Sequence, residues 1–281
     1  MCRLFGFRSV VPSQVHTSLV KAENALMTQS NEHPDGWGIA YYVAKAPHIV
    51  KSMAAAVEDN LFQRVSGIVS AETVLAHLRK ATQGELTITN THPFQYGPWV
   101  FAHNGNIKNF QEKRQMMLQL MNPKLRRFIL GETDSEALFY LLLSFIEKKI
   151  CLTETEPPLN VVVSSVREAL NQLIGIAGPF HQDPNGPPEE NYFSFLLTNG
   201  VVMLAYHGGK ELYYSTYKTR CPERHLCASF SQSCEAVSED GLVNHFIVAS
   251  EPLGGVNVWL PVPSDTLMGV DRHMRFMQVK R

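Results

Sequence analysis

Residues 133–149 can be read in one way, and that reading limits what the rest of the chain can do. Thr133-Asp134-Ser135-Glu136 has the capping-box pattern, a threonine with a glutamate three residues on, which satisfies backbone donors left over at a helix start. Behind it, residues 137–145 are apolar except for one serine, and Glu147-Lys148-Lys149 closes the run with lysines that suit the negative end of the helix dipole. The apolar run is about half of a membrane span, so it predicts a helix buried in a protein core.

The segments around this helix supply the core's other walls. After Pro157-Pro158, Val163, Val166, Leu170 and Leu173 fall on one side of a second helix, with Gly175 as its stop. Near the amino terminus a short strand comes first. Ser13 then caps a predicted helix with Val15, Leu19, Ala22 and Leu26 on one face. Gly36-Trp37-Gly38 reads as an irregular turn before a strand at 39–43. A strand at 73–79 places Leu75, His77 and Arg79 on one face, and a strand at 99–103 stops at Asn104-Gly105-Asn106. Residues 178–191, with four prolines and three acids, read as a mobile loop. Beyond it, strands at 193–198 and 201–206 flank a two-residue Asn199-Gly200 turn, and more follow at 211–217, 245–250 and 275–279. Strands at both ends with helices between them predict a layered α+β sandwich, with residues 1–281 as a single domain.

Composition narrows the function. A 281-residue chain with 44% hydrophobic residues has ample material for a core. Its 25 basic and 26 acidic residues give a net charge of -1, which provides no field for nucleic acid or an anionic membrane. Arg3 and Arg8 bracket only four apolar or small residues, too few for a signal peptide. Five sparse cysteines, Cys2, Cys151, Cys221, Cys227 and Cys234, do not make a disulfide framework and fit a cytoplasmic protein. Cys221, His225, Cys227 and Cys234 lie close in sequence but lack a C-x-x-C pair, so no metal is expected.

Cys2 stands directly behind the initiator methionine. If Met1 is removed, one residue carries both a thiol titrating near ~8.5 and an α-amine near ~7.7–8.0, a nucleophile with its own base. On these residues alone Cys2 could equally be a small buried hydrophobe. Asp134 could merely complement its helix dipole, Arg79 could be a solvated strand end, and Asn104-Gly105 could be a plain turn. His77, His92 and His103 could be acid–base groups or supports behind a site. Trp37 reads as packing.

Taken together, Cys2, Gly36-Trp37-Gly38, Arg79 with Thr82, His92-Pro93, His103-Asn104-Gly105 and the 131–136 segment occur in the order and spacing of the class II glutamine amidotransferases. The chain therefore resembles that family of N-terminal-nucleophile hydrolases, and is most similar to its free-standing members, such as the γ-glutamyl hydrolase of ergothioneine biosynthesis. The resemblance implies a four-layer αββα sandwich in which Cys2 attacks the γ-carbonyl of a γ-glutamyl amide and forms a thioester. It also implies that the Asn104 side chain and the Gly105 N–H hold the oxyanion, and that Arg79 grips the α-carboxylate of the substrate. Asp134 would receive the α-ammonium, with Thr82, His92 and His103 on the substrate side. No cofactor is implied. Glu32-His33, Lys80 and Gln83 depart from many relatives that carry a synthase domain, which singles out the leaving-group side of the pocket. The expected partner is a small γ-glutamyl substrate, with an acceptor enzyme in trans as the alternative. A catalytically silent γ-glutamyl sensor is a further reading.

Overall fold

The computed structural model describes residues 2–81 and 84–281, so Met1, Thr82 and Gln83 lie outside the described residues. With strands numbered in chain order, the first sheet contains β1 (Arg3–Gln14), β2 (Trp37–Val43), β3 (Ala46–Ser52), β4 (Ser70–Leu78), β9 (Tyr213–Ser215), β10 (His245–Ala249) and β11 (Leu260–Pro261). Their order is β11-β9-β10-β1-β4-β2-β3. The second sheet contains β5 (Phe94–Tyr96), β6 (Trp99–Asn106), β7 (Tyr192–Thr198), β8 (Met203–His207), β12 (Thr266–Val270) and β13 (Phe276–Lys280), in the order β13-β12-β8-β7-β6-β5. The registered strand pairs are antiparallel. The helices are α1 (Leu26–Gln29), α2 (Asn60–Ile68), α3 (Phe110–Leu120), α4 (Pro123–Arg126), α5 (Asp134–Glu147) and α6 (Leu159–Ala177).

Three apolar clusters reveal the layers. Leu4, Ala40, Leu75, Val100, Ala102 and Leu196 fill the space between the two sheets. Phe5, Phe7, Ile39 and Val74, alternate neighbours on the same strands, point the other way, onto α2 and the 15–26 segment. On the outer face of the second sheet, Phe101, Phe193 and Phe195 meet Phe139, Leu142 and Ile146 of α5 together with Val166 and Leu170 of α6. The result is the expected αββα sandwich. As expected for a helix that is apolar nearly all round, α5 is buried from Asp134 to Ile146. Among the described residues no helix is long and apolar enough to cross a membrane.

Several local expectations change. The predicted helix after Ser13 is absent, because β1 runs on to Gln14 and pairs Ser13 with Ala71 beyond a register shift. Only a π-helical turn, Thr17–Lys21, and the short α1 follow, although Val15, Leu19 and Leu26 are buried as the spacing implied. Trp37-Gly38 is strand, and Asn104-Gly105 continues β6 in register with Ser194 and Phe193. Helix α6 passes through Gly175 and ends at Gly178, whose φ of 86° suits glycine. The β7–β8 connection spans four residues, with the Asn199 N–H donating to the Val202 carbonyl. The 178–191 loop is tied down at several points. Asn106 Nδ2 donates to the Glu189 and Glu190 carbonyls, and the Tyr192 hydroxyl donates to the Asp183 carbonyl.

Candidate active site

The site forms where one end of each sheet opens. Arg3 of β1 pairs with Leu78 of β4, so Cys2 is carried just past the strand end, onto the segment 79–81. There the Lys80 N–H donates to Cys2 Sγ at 3.4 Å, and the thiol faces the Lys80 carbonyl at 3.5 Å. Asp35 fixes the same segment from the other side, its Oδ2 accepting the Ala81 N–H at 2.8 Å and its own N–H donating to the Arg79 carbonyl at 3.2 Å. Burial raises the Cys2 thiol above its ordinary range, and the Lys80 hydrogen bond and the Arg79 charge oppose that shift.

Arg79 is buried behind Cys2. Its Nη2 donates to the carbonyls of Gly84 and Glu85, at 3.3 and 3.1 Å. Burial lowers the guanidinium below its usual range, while Cys2 and Asp35 favour its charge.

From the facing sheet, β6 delivers Asn104 and Gly105. Asn104 is 3% exposed, and its Oδ1 has no hydrogen-bond partner among the described residues, although the residue lines the cleft next to Cys2. A buried carboxamide with unmet capacity is a group that a ligand can complete. Gly105 is obligatory here. A Cβ at that position would lie 2.0 Å from the Tyr192 carbonyl and 2.1 Å from His103 Nε2. Glycine stands here because the strand packs too closely for a side chain, while pairing with Ser194 and Phe193 keeps Asn104-Gly105 extended.

Asp134 begins α5 beneath this strand end. Its Oδ2 accepts the Ile107 N–H at 2.6 Å, and its Oδ1 lies beside the Ser135 hydroxyl oxygen, at 3.2 Å. Half of the capping box forms as expected, with Thr133 Oγ1 accepting the Glu136 N–H. The Glu136 carboxylate reaches further back, to the N–H groups of Leu130 and Gly131.

The histidines stand behind these groups. His103 is held by the Ser135 hydroxyl on Nδ1 and the Tyr192 carbonyl on Nε2. His92 packs its ring 4.2 Å from that of His77 and 4.7 Å from that of Phe94. Burial pushes His77 and His92 well below the usual histidine range and also lowers His103, so all three are neutral imidazoles at neutral pH. Gly38 lets this layer close, since a Cβ there would meet the His92 carbonyl at 2.1 Å. Trp37 is packing, as its sequence context implied. It lies edge-on to Phe62, with its Nε1 donating to Asp59.

Cys2, Arg79, Asn104, Gly105 and Asp134 thus gather at one end of the sandwich, His92 and His103 lie behind them, and Thr82 is outside the described residues. Sequence reasoning missed Lys80 as the donor to the thiol, Asp35 as the clamp on its loop, and Lys210, which lines the cleft from the 208–211 turn. Among the described residues no group of three His, Cys, Asp or Glu side chains is placed to hold a metal ion.

The sequence pattern of the class II glutamine amidotransferases matches residues 1–275. A Haemophilus influenzae protein that carries a glutamine amidotransferase name is 30% identical over 231 residues, which are 80% of this chain and 69% of that one. The γ-glutamyl-hercynylcysteine sulfoxide hydrolase of Mycobacterium tuberculosis is 35% identical over 74 residues, 26% of this chain and 32% of that protein. Among solved structures, a glutamine aminotransferase class-II domain protein from Silicibacter pomeroyi superposes with a TM-score of 0.60 at 17% identity, covering 99% of both chains. A match along nearly the whole sequence, on a fold that brings one strand start and one strand end together at Cys2, leaves one assignment. The chain belongs to the class II glutamine amidotransferases, a family of amidohydrolases.

Proposed function

We propose that this protein hydrolyses a γ-glutamyl amide, glutamine or a γ-glutamyl small molecule, through a thioester on Cys2. The observation that carries the reading is that a half-buried thiol, held by the Lys80 N–H, has its neighbours Arg3 and Lys80 on the walls of one cleft with the buried carboxamide of Asn104. In the first step the Sγ–carbonyl bond forms and the amide C–N bond breaks. The thiol proton, taken up by the α-amine of a processed Cys2, passes to the leaving amine. Water then cleaves the thioester and releases glutamate. The negative oxygen of each tetrahedral intermediate falls to the Asn104 side chain and the Gly105 N–H, donors of a kind each worth ~2.7–4 kcal/mol of barrier.

Phe193, the register partner of Gly105, donates its N–H to the Gly208 carbonyl, and the alternation of an antiparallel ladder then turns the Gly105 N–H away from β7. Arg79 and Asp134 are of opposite charge and buried, as an amino-acid end with both charges requires once water leaves. The name of the mycobacterial relative, a γ-glutamyl hydrolase, supports the bond type.

The test is glutamate release by purified protein from glutamine and a panel of γ-glutamyl amides, with a glutamine-mimicking diazoketone as a label. Turnover with labelling at Cys2 is expected. Labelling without turnover would indicate a silent binding module, ammonia appearing only in the product of an added acceptor enzyme would indicate a glutaminase subunit, and neither labelling nor turnover would overturn the reading.

A further inference from the structure

The cleft beside Cys2 extends beyond what a departing ammonia requires. Its volume is about 570 Å³, and its walls include Arg3, Glu32, Lys80, Asn104, Lys210 and Glu251. The glutamyl half of a substrate belongs to the Arg79 and Asp134 side, so this space lies on the leaving-group side. Two cations there are incompletely matched. Lys210 is only 5% exposed, and among the described residues it forms no ion pair. Its ammonium donates to the Pro184 carbonyl and stands 3.7 Å from the centre of the Tyr192 ring. Arg3, next in sequence to the nucleophile, pairs with Glu251 through Nη2 alone, and its buried Nε has no partner among the described residues.

The surrounding acids leave this arrangement open. Glu251 is already engaged by Arg3, Glu32 and Glu211 are exposed to water, and Asp183 attracts Lys210 only from a distance. Burial and the charge of Arg3 both work against the Lys210 ammonium, and a bound anion would relieve both. A buried ammonium on a cleft wall is costly unless a ligand or partner compensates it.

We propose that Arg3 and Lys210 form a receptor for a carboxylate carried by the leaving amine, so that the preferred substrates are γ-glutamyl amino acids or peptides over glutamine. This rests on the thioester reading above. The bond broken is still the γ-amide, and the product amine departs as an amino acid whose carboxylate had been held by the two cations.

The probes are γ-glutamylglycine and γ-glutamylmethylamide, which differ in that carboxylate. Wild-type protein is expected to favour γ-glutamylglycine on the order of tenfold or more in kcat/KM, the size expected for a hydrogen bond to a charged group. Lys210→Met should collapse the ratio toward one and Lys210→Arg should largely restore it, which separates charge recognition from the role of Lys210 in holding Pro184. The Cys2→Ala protein gives a readout independent of turnover, with tighter binding of γ-glutamylglycine expected by calorimetry. Equal binding of the two probes by Cys2→Ala, or a wild-type ratio near one, would overturn the receptor and leave the hydrolase reading standing. Selective binding without hydrolysis of any amide would sink the hydrolase reading and keep the receptor.

Discussion

Asp134 Oδ2 accepts the Ile107 N–H at 2.6 Å, a buried hydrogen bond that ties the first turn of α5 to the strand end that carries Asn104 and Gly105. The carboxylate therefore holds the strand end in place as well as offering charge to a substrate. Asp134→Asn keeps an acceptor and removes the charge. It should raise KM for a γ-glutamyl substrate while leaving the denaturation midpoint close to wild type. Asp134→Ala should also lose about 1–3 kcal/mol of stability, because a buried N–H is left without a partner. If both variants match wild type in KM, Asp134 does not meet the substrate.

Cys2 is the nucleophile in the proposed mechanism, and its base is its own α-amine once Met1 is removed. Intact-mass measurement of active protein should show a chain beginning at Cys2. Cys2→Ala should abolish turnover without changing the melting temperature. Full activity from material proven to retain Met1 would send the search to another base.

Arg79 already divides its Nη2 between the Gly84 and Glu85 carbonyls, which fixes the plane of the guanidinium. Arg79→Lys keeps the charge and loses the fork. KM should rise at least about tenfold with a smaller change in kcat, since one ammonium cannot hold a carboxylate and the loop in that geometry. Kinetics identical to wild type would remove Arg79 from the site.

Asn104→Ala should act on the other parameter. An oxyanion donor works mainly in the transition state, so kcat should fall by roughly 10²–10³ with KM little changed. A variant impaired only in binding would contradict the assigned role. Gly105→Ala should fail more broadly, in folding yield as well as rate, because its Cβ would land on the Tyr192 carbonyl and the His103 ring.

Acid should destabilise the fold through buried histidines. Burial is the main cause that lowers His77, His92, His103 and His245, the last to about 3. Their folded values lie below the unfolded value near ~6.5, so the unfolded chain takes up protons first as pH falls. Stability is then complete above about 6.5 and is lost as pH falls below it, by roughly 2 kcal/mol at pH 5 for His245, with His77, His92 and His103 acting in the same direction. Urea midpoints at pH 8, 6 and 5 check this. A midpoint unchanged between pH 8 and 5 would mean that these rings are not held neutral.

What the sequence alone determined was whatever depends on local pattern. The buried helix α5 follows from the Thr133 cap and the apolar run behind it, and the strands at both ends follow from composition. The order and spacing of Cys2, Arg79, Asn104 and Asp134 pointed to one site before any distance was known. The tertiary structure decided the rest, because long-range pairing overrules local preference. Ser13 looked like a helix cap and became strand because Ala71 lies opposite it, and Asn104-Gly105 looked like a turn and runs straight because Ser194 and Phe193 lie alongside. Lys80 donates to the thiol through its backbone, which no side-chain pattern reports. Lys210 carries no motif at all. It becomes a wall of the cleft because a turn 208 residues beyond Cys2 folds back beside the 183–188 segment, and a contact across that separation is set by the packing of two sheets, not by the residues on either side.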